Sequence, residues 1–230
     1  MRNGQRLPTG RVPEQLTPAV AVSADQRRAL AMAASLLLDY PGEDFGARLA
    51  AVDKHAGDLP LPIETELAAF QDAARAHGLR GMQEHYVETF DQKRRCSLFL
   101  SYYSVGDTRQ RGTAILAFRQ ALEQLGFEEL TDELPDHLCV VLEAVARSEG
   151  AQHEQTVEML AAHRDGLEVL RTALAGTGSP YAHLITAIAM ALPQIDAETT
   201  HNYLDLIRSG PPAELVGIGT PLPFPTAHKD

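Results

Sequence analysis

The sequence predicts an all-α protein: a single-domain multi-helix bundle of about nine helices over residues 23–209, between a flexible arm at 1–22 and a flexible proline-rich tail at 210–230. Three observations carry this reading. Apolar residues recur at helical steps through almost the whole span between the two ends. The apolar fraction, 44%, leans on alanine and leucine, which lose little side-chain freedom in a helix. No strand-like alternation, hairpin signal or fixed-period repeat occurs.

The arm at 1–22 is interrupted by Pro8, Pro13 and Pro18 and has no apolar period. Ser23 opens the first helix, because Gln26 three residues on completes a reciprocal cap. Leu30, Ala34, Leu37 and Leu38 form its apolar stripe, and Tyr40-Pro41-Gly42 ends it. A second helix over 43–56 places Phe45, Leu49 and Val52 on one face. Beyond Pro60 and Pro62 a third helix carries Ile63, Leu67, Phe70 and Ala74 to His77, where Gly78 stops it. A fourth, over 80–91, spaces Met82, Tyr86 and Phe90 by four. Residues 92–107 are less regular: basic QKRRC, then aromatic SLFLSYYSVGD, either a short helix or extended.

Thr108 caps a helix to Leu125, with Ile115, Leu116, Phe118, Leu122 and Leu125 facing inward. Pro135-Asp136 starts the next, through Leu138, Val141, Leu142 and Val145. One long helix spans 151–175, with Val157, Leu160, Leu167 and Leu170. Pro180 opens a nearly all-apolar helix, Leu184 to Leu192, which belongs at the centre. The last runs from Asp196 to Arg208, and five prolines from Pro211 to Pro225 exclude helix in the tail.

The net charge of −11 argues against a nucleic-acid partner, since an acidic body repels phosphate backbones. It favours capture of a basic peptide, or simply keeps the protein soluble. Cys96 and Cys139 have neither C-x-x-C nor zinc-ligand spacing and read as reduced, buried thiols. The N-terminus has no apolar signal core, and no segment has the roughly 20 apolar residues of a membrane span. The expected location is the cytoplasm, without membrane insertion.

Catalytic signatures are missing. There is no phosphate loop, and the lysines, Lys54, Lys93 and Lys229, never follow glycine. Gly217-Ile218-Gly219 follows no strand, and neither H-E-x-x-H nor G-x-S-x-G occurs. A di-iron bundle needs two E-x-x-H pairs, and only Glu198–His201 is found, so no cofactor is expected.

Two segments stand out. In Glu133-Leu134-Pro135-Asp136-His137, Asp136 reads as a helix cap, Glu133 favours the positive helix end, and His137 is a side chain able to titrate near neutrality. The plain alternative is a cap and a packed histidine. The second segment holds Lys93, Arg94, Arg95, Arg109 and Arg111, interleaved with Tyr102, Tyr103 and Asp107. These cations either grip an anionic group or neutralise neighbouring acidic helices.

At these segments the chain resembles a known family. The run YVETFDQKRRCSLFLSYYSVGDTRQRGTAILAFRQAL, residues 86–122, resembles the signature region of the NarJ family of respiratory nitrate reductase assembly chaperones. ELPDHLCVVLE at 133–143, LLLDYP from residue 36 and GSPYAHL at 178–184 resemble further blocks of it. The resemblance implies a TorD-like helical fold, shared with TorD and DmsD, and no catalytic activity. It implies binding to the N-terminal segment of the molybdoenzyme's catalytic α subunit, which is held until molybdenum cofactor is inserted. The wider group carries E-P-x-D-H. Here Glu133, Asp136 and His137 match, while the proline stands at Pro135, one place along.

Together these features nominate Tyr102, Tyr103, Asp107, Arg109, Glu133, Asp136 and His137 as partner-contacting residues. The tyrosines offer an apolar face with a polar tip for an amphipathic helix. The alternatives are a helical metal- or nucleotide-dependent hydrolase using His137, Asp136 and the arginines, or the same chaperone class serving another molybdoenzyme.

Overall fold

A computed structural model of the chain describes residues 6–127, 133–194 and 200–201. Among the described residues the fold is a bundle of nine α-helices: α1 (Ala24–Leu38), α2 (Phe45–Ala56), α3 (Leu61–Tyr86), α4 (Leu100–Val105), α5 (Gln110–Gln124), α6 (Leu138–Arg147), α7 (Gly150–Ala162), α8 (Arg164–Gly176) and α9 (Tyr181–Ala191). A two-residue antiparallel ladder, β1 (Arg6–Leu7) with β2 (Gly10–Arg11), precedes them.

Local signals account for most boundaries. Ser23 and Gln26 cap α1 reciprocally, and the stripe Leu30, Ala34, Leu37 and Leu38 is buried. Phe45, Leu49 and Val52 bury one face of α2, and Ile63, Leu67, Phe70 and Ala74 that of α3. Gly78 takes φ +66°, ψ 172°, which stops the first arm of α3 there, as expected, and a second arm follows directly. The second arm runs into a π-helical turn, Val87–Asp91. A 3₁₀ turn at Arg94–Cys96 leads to α4.

Helix α9 lies at the centre, as its composition predicts, against α1, α3 and α8, while the far side of α1 packs on α6. Its Leu184, Ile185, Ala187 and Ala189 are fully buried.

The structure corrects three expectations. Residues 6–22 are packed on the bundle, where a mobile arm over 1–22 was expected. Val12 is fully buried, and Val20 donates its N–H to the Met190 carbonyl at 2.8 Å. Thr17 is clasped: its N–H donates to Glu168 Oε1 at 2.7 Å, and Arg164 Nη2 donates to its carbonyl at 2.6 Å. The helix expected over 151–175 is two helices, α7 and α8, parted at His163 (φ −94°, ψ 11°). There the His163 Nδ1–H donates to the Met159 carbonyl at 2.9 Å, and Arg164 turns toward Thr17 and Leu192. Third, Leu116 is 49% exposed, because α5 buries Ala114, Ala117, Phe118 and Leu122 instead. The expected helix at 196–208 and the tail at 210–230 lie outside the described residues, apart from 200–201, which are helical.

Candidate functional site

The segments 86–122 and 133–143, far apart along the chain, meet in space. Leu100 donates its N–H to the Asp136 carbonyl at 2.9 Å, and Leu138 donates to the Leu98 carbonyl at 2.8 Å. These bonds form an isolated antiparallel bridge between Phe99 and His137. The start of α4 and the start of α6 are thereby stitched together by backbone groups that both helices leave unpaired.

Side chains complete the junction. The Ser101 hydroxyl donates to Asp136 Oδ2, and Asp136 is fully buried. Burial pushes the Asp136 carboxyl above the usual aspartate range, while the Ser101 bond and the Arg111 charge pull it back. Its Oδ1 and the Arg111 Nε are both buried without a hydrogen-bond partner. The Arg111 guanidinium sits over the Phe99 ring at 4.9 Å, and Phe99 meets the His137 ring edge-to-face at 5.1 Å.

The α6 cap is His137, not the expected Asp136. His137 Nδ1 accepts the Cys139 N–H at 3.3 Å. Burial holds its pKa below the ordinary histidine value, against the opposing charges of Glu133, Asp136 and Asp39. The bridge to Phe99 explains the shift by one residue. It takes up the Asp136 backbone and sinks its carboxylate beneath α4, leaving His137 at the helix mouth.

The nominated residues therefore separate. Tyr103 is 2% exposed, and its hydroxyl donates to the Ser97 carbonyl at 2.8 Å. Its ring presses on α8 so closely that a Cβ on Gly166 would stand 2.8 Å from Tyr103 Cβ. Tyr103 and Asp136 hold the fold and present no face to a partner. Tyr102 is half-buried, edge-on to Tyr103 at 5.6 Å. Asp107 and Arg109 are exposed, with Asp107 paired to Arg94 at 3.5 Å. Glu133 is exposed, and its carboxylate accepts the Leu134 N–H at 3.0 Å.

Sequence reading missed two surfaces. One is an open apolar groove of about 260 Å³ between α1, α2 and α3, lined by Met32, Leu36, Ala51, His55, Leu59 and Leu67 among others. The other is an aromatic face. Tyr40, just past α1, meets Tyr86 edge-on at 5.4 Å, and Tyr86 meets Phe90 at 4.8 Å. Tyr40 was read as part of a helix stop, and no local pattern in the sequence joins it to Tyr86. Among the described residues, no three His, Cys, Asp or Glu side chains come together as a metal site, and no helix is long and apolar enough to cross a membrane.

Comparison with known proteins adds the following. The family model described as nitrate reductase delta subunit matches residues 56–187. That span contains α4, α5, α6 and the junction between them. The chain is 30% identical over 166 residues to the "probable nitrate reductase molybdenum cofactor assembly chaperone NarJ" of Bacillus subtilis, covering 71% of this chain and 88% of that protein. It is 35% identical over 159 residues to the nitrate reductase-like protein NarX of Mycobacterium tuberculosis, covering 67% of this chain and 23% of that protein. To the nitrate reductase molybdenum cofactor assembly chaperone NarJ of Escherichia coli it is 33% identical over 123 residues, 49% of each chain.

Proposed function

The chain belongs to the nitrate reductase delta subunit family, and from that premise we propose that it is an assembly chaperone for nitrate reductase. It binds the N-terminal region of the catalytic α subunit in the cytoplasm and holds it while molybdenum cofactor is inserted. The observation that carries the reading is the family match over 56–187, which includes both segments of the junction and most of the helices around it.

The surface is suited to the task. A captured segment needs apolar side chains accepted and its charge matched. The groove between α1, α2 and α3 is apolar, and Met32 and Leu36 are side chains that adapt to different occupants. The net charge of −11 speeds the approach of a basic segment. Tyr102, Asp107, Arg109 and Glu133, which stand at or near the surface, are the proposed contacts of the original set, with Tyr103, Asp136 and His137 holding them in place.

The hydrolase alternative finds less support. Asp136 is taken up by Ser101 and by the bridge to α4, and His137 Nδ1 by the α6 backbone. The test is co-expression with the nitrate reductase subunits. The chain should co-purify with the α subunit before cofactor insertion, and cells lacking the chain should yield nitrate reductase poor in molybdenum. A deletion strain with fully loaded, active nitrate reductase would refute the proposal.

A further inference from the structure

Three elements distant in sequence build one face. The end of α1 supplies Asp39 and Tyr40, the end of α3 with the π-helical turn after it supplies Tyr86, Phe90 and Asp91, and the segment before α6 supplies Glu133. The π turn fits an extra residue into one helical coil, and it leaves Tyr86 and Phe90 ring against ring at 4.8 Å. Gln83 donates to the Pro41 carbonyl at 2.9 Å and fastens the Tyr40 loop to α3. Tyr40 closes the row at 45% exposure.

Beneath the row lies Tyr181, the first residue of α9, which touches Tyr86 at 6.0 Å and Phe90 at 4.8 Å between ring centroids. Tyr181 is fully buried, yet its hydroxyl has no hydrogen-bond partner. That is an uncommon cost for a core tyrosine. Its hydroxyl feels the Tyr86 hydroxyl, the Cys139 thiol and the Asp39 carboxylate, after burial itself. The Tyr86 hydroxyl in turn feels Cys139, Asp39, Asp91 and Glu133, again after burial. Asp39 thus lies near both phenol tips, and Asp91 and Glu133 lie near that of Tyr86. Asp39 is shared with Arg48 at 2.7 Å, whereas among the described residues neither Asp91 nor Glu133 is paired with a cation.

The geometry points to a subsite for one basic side chain, lysine or arginine, of the captured segment: the cation rests on the Tyr40, Tyr86 and Phe90 rings, flanked by the carboxylates of Asp91 and Glu133. Aromatic faces attract a cation through their ring quadrupole, and flanking carboxylates add direct attraction. The apolar groove supports the direction of the segment. Leu36, at its edge, precedes Tyr40 by four residues, so apolar side chains in the groove lead along α1 to a basic residue at the ring face. This inference rests on the chaperone reading and adds to it where one residue of the segment is recognised, and by what chemistry.

The test uses the full chain and a synthetic peptide of the first tens of residues of the catalytic subunit from the same organism. The peptide carries a single tryptophan, which is excited selectively because this chain has none. Tyr40→Ala and Glu133→Gln should each weaken binding about five- to tenfold at low salt. A peptide with its basic residues changed to glutamine should bind the wild-type chain as weakly, and the two substitutions should then add nothing. Thermal melting of Tyr40→Ala should stay close to wild type, which separates lost binding from lost fold. If folded wild-type chain binds the peptide and both variants bind it equally well, the subsite is wrong and the chaperone reading stands. If folded wild-type chain does not bind the peptide at all, the reading of the partner falls and takes the subsite with it.

Discussion

Two tyrosine pairs in this molecule have almost the same geometry and opposite surroundings. Tyr102 and Tyr103 meet edge-on, with centroids 5.6 Å apart and planes at 82°. Tyr40 and Tyr86 meet at 5.4 Å and 85°. The first pair is adjacent in sequence, and its Tyr103 is 2% exposed. The second joins residues 46 positions apart, from the end of α1 to the end of α3, and its Tyr40 is 45% exposed. In the conspicuous SYYS run Tyr103 holds the fold: it wedges α4 against α8, and its hydroxyl closes the loop at Ser97. The inconspicuous pair has the more exposed ring, Tyr40. Adjacent aromatic residues on a helix point in different directions, so at most one serves a surface.

The comparison is broken most directly by truncating one member of each pair. Tyr103→Ala should cost roughly 3–5 kcal/mol, since it empties a closely packed site and removes a buried hydroxyl bond. Urea unfolding measures this. A cost near that of a surface change would mean Tyr103 is not the wedge it resembles. Tyr40→Ala, measured the same way, should stay within about 1 kcal/mol of wild type.

A second test probes the same interior through acid. His163 is buried beside Phe118 at 5.1 Å, and burial lowers its pKa from an ordinary 6.5 to about 4. Its Nε2 is buried without a partner, so a proton there has nothing to donate to. With the folded pKa below the unfolded one, the stability it contributes is full above pH 6.5 and is lost as pH falls toward about 4. The loss approaches about 3 kcal/mol. His163→Gln should flatten that part of the pH–stability curve, and an unchanged slope would assign it to another group.

Asp136 moves in the opposite sense. Its folded pKa is raised, so its contribution is full below the ordinary aspartate pKa and is lost as pH rises through the folded value. Asp136→Asn should therefore gain on wild type as pH rises over that window. Asp136→Ala should cost about 1–3 kcal/mol, because it leaves the Ser101 hydroxyl buried and unbonded. A pH-independent difference between Asp136→Asn and wild type would show the carboxyl to be ordinary. The smallest effect belongs to the surface: Leu116→Gln should change stability by no more than about 0.5 kcal/mol, with peptide binding unaltered.

The sequence by itself determined what is decided within a turn or two of the chain. The Ser23–Gln26 cap, the positive φ at Gly78, the stop after Leu38 and the apolar stripes of α1, α2, α3 and α6 all depend on neighbours three or four residues away. Family likeness in 86–122 and 133–143 was legible for the same reason, as unbroken local runs. Tertiary structure alone decided the rest. Residues 6–22 pack down because Thr17 finds Arg164 and Glu168, about 150 positions away on α8, just past the break at His163. Asp136 yields the cap to His137 because Leu98 and Leu100 claim its strand-like backbone. Leu116 faces solvent because α5 turns Ala114, Ala117, Phe118 and Leu122 toward the bundle. Tyr40 meets Tyr86 only once α1 and α3 have converged. Each of these outcomes is a competition between partners distant in sequence for one buried hydrogen bond or one packing space, and no local pattern records which partner wins.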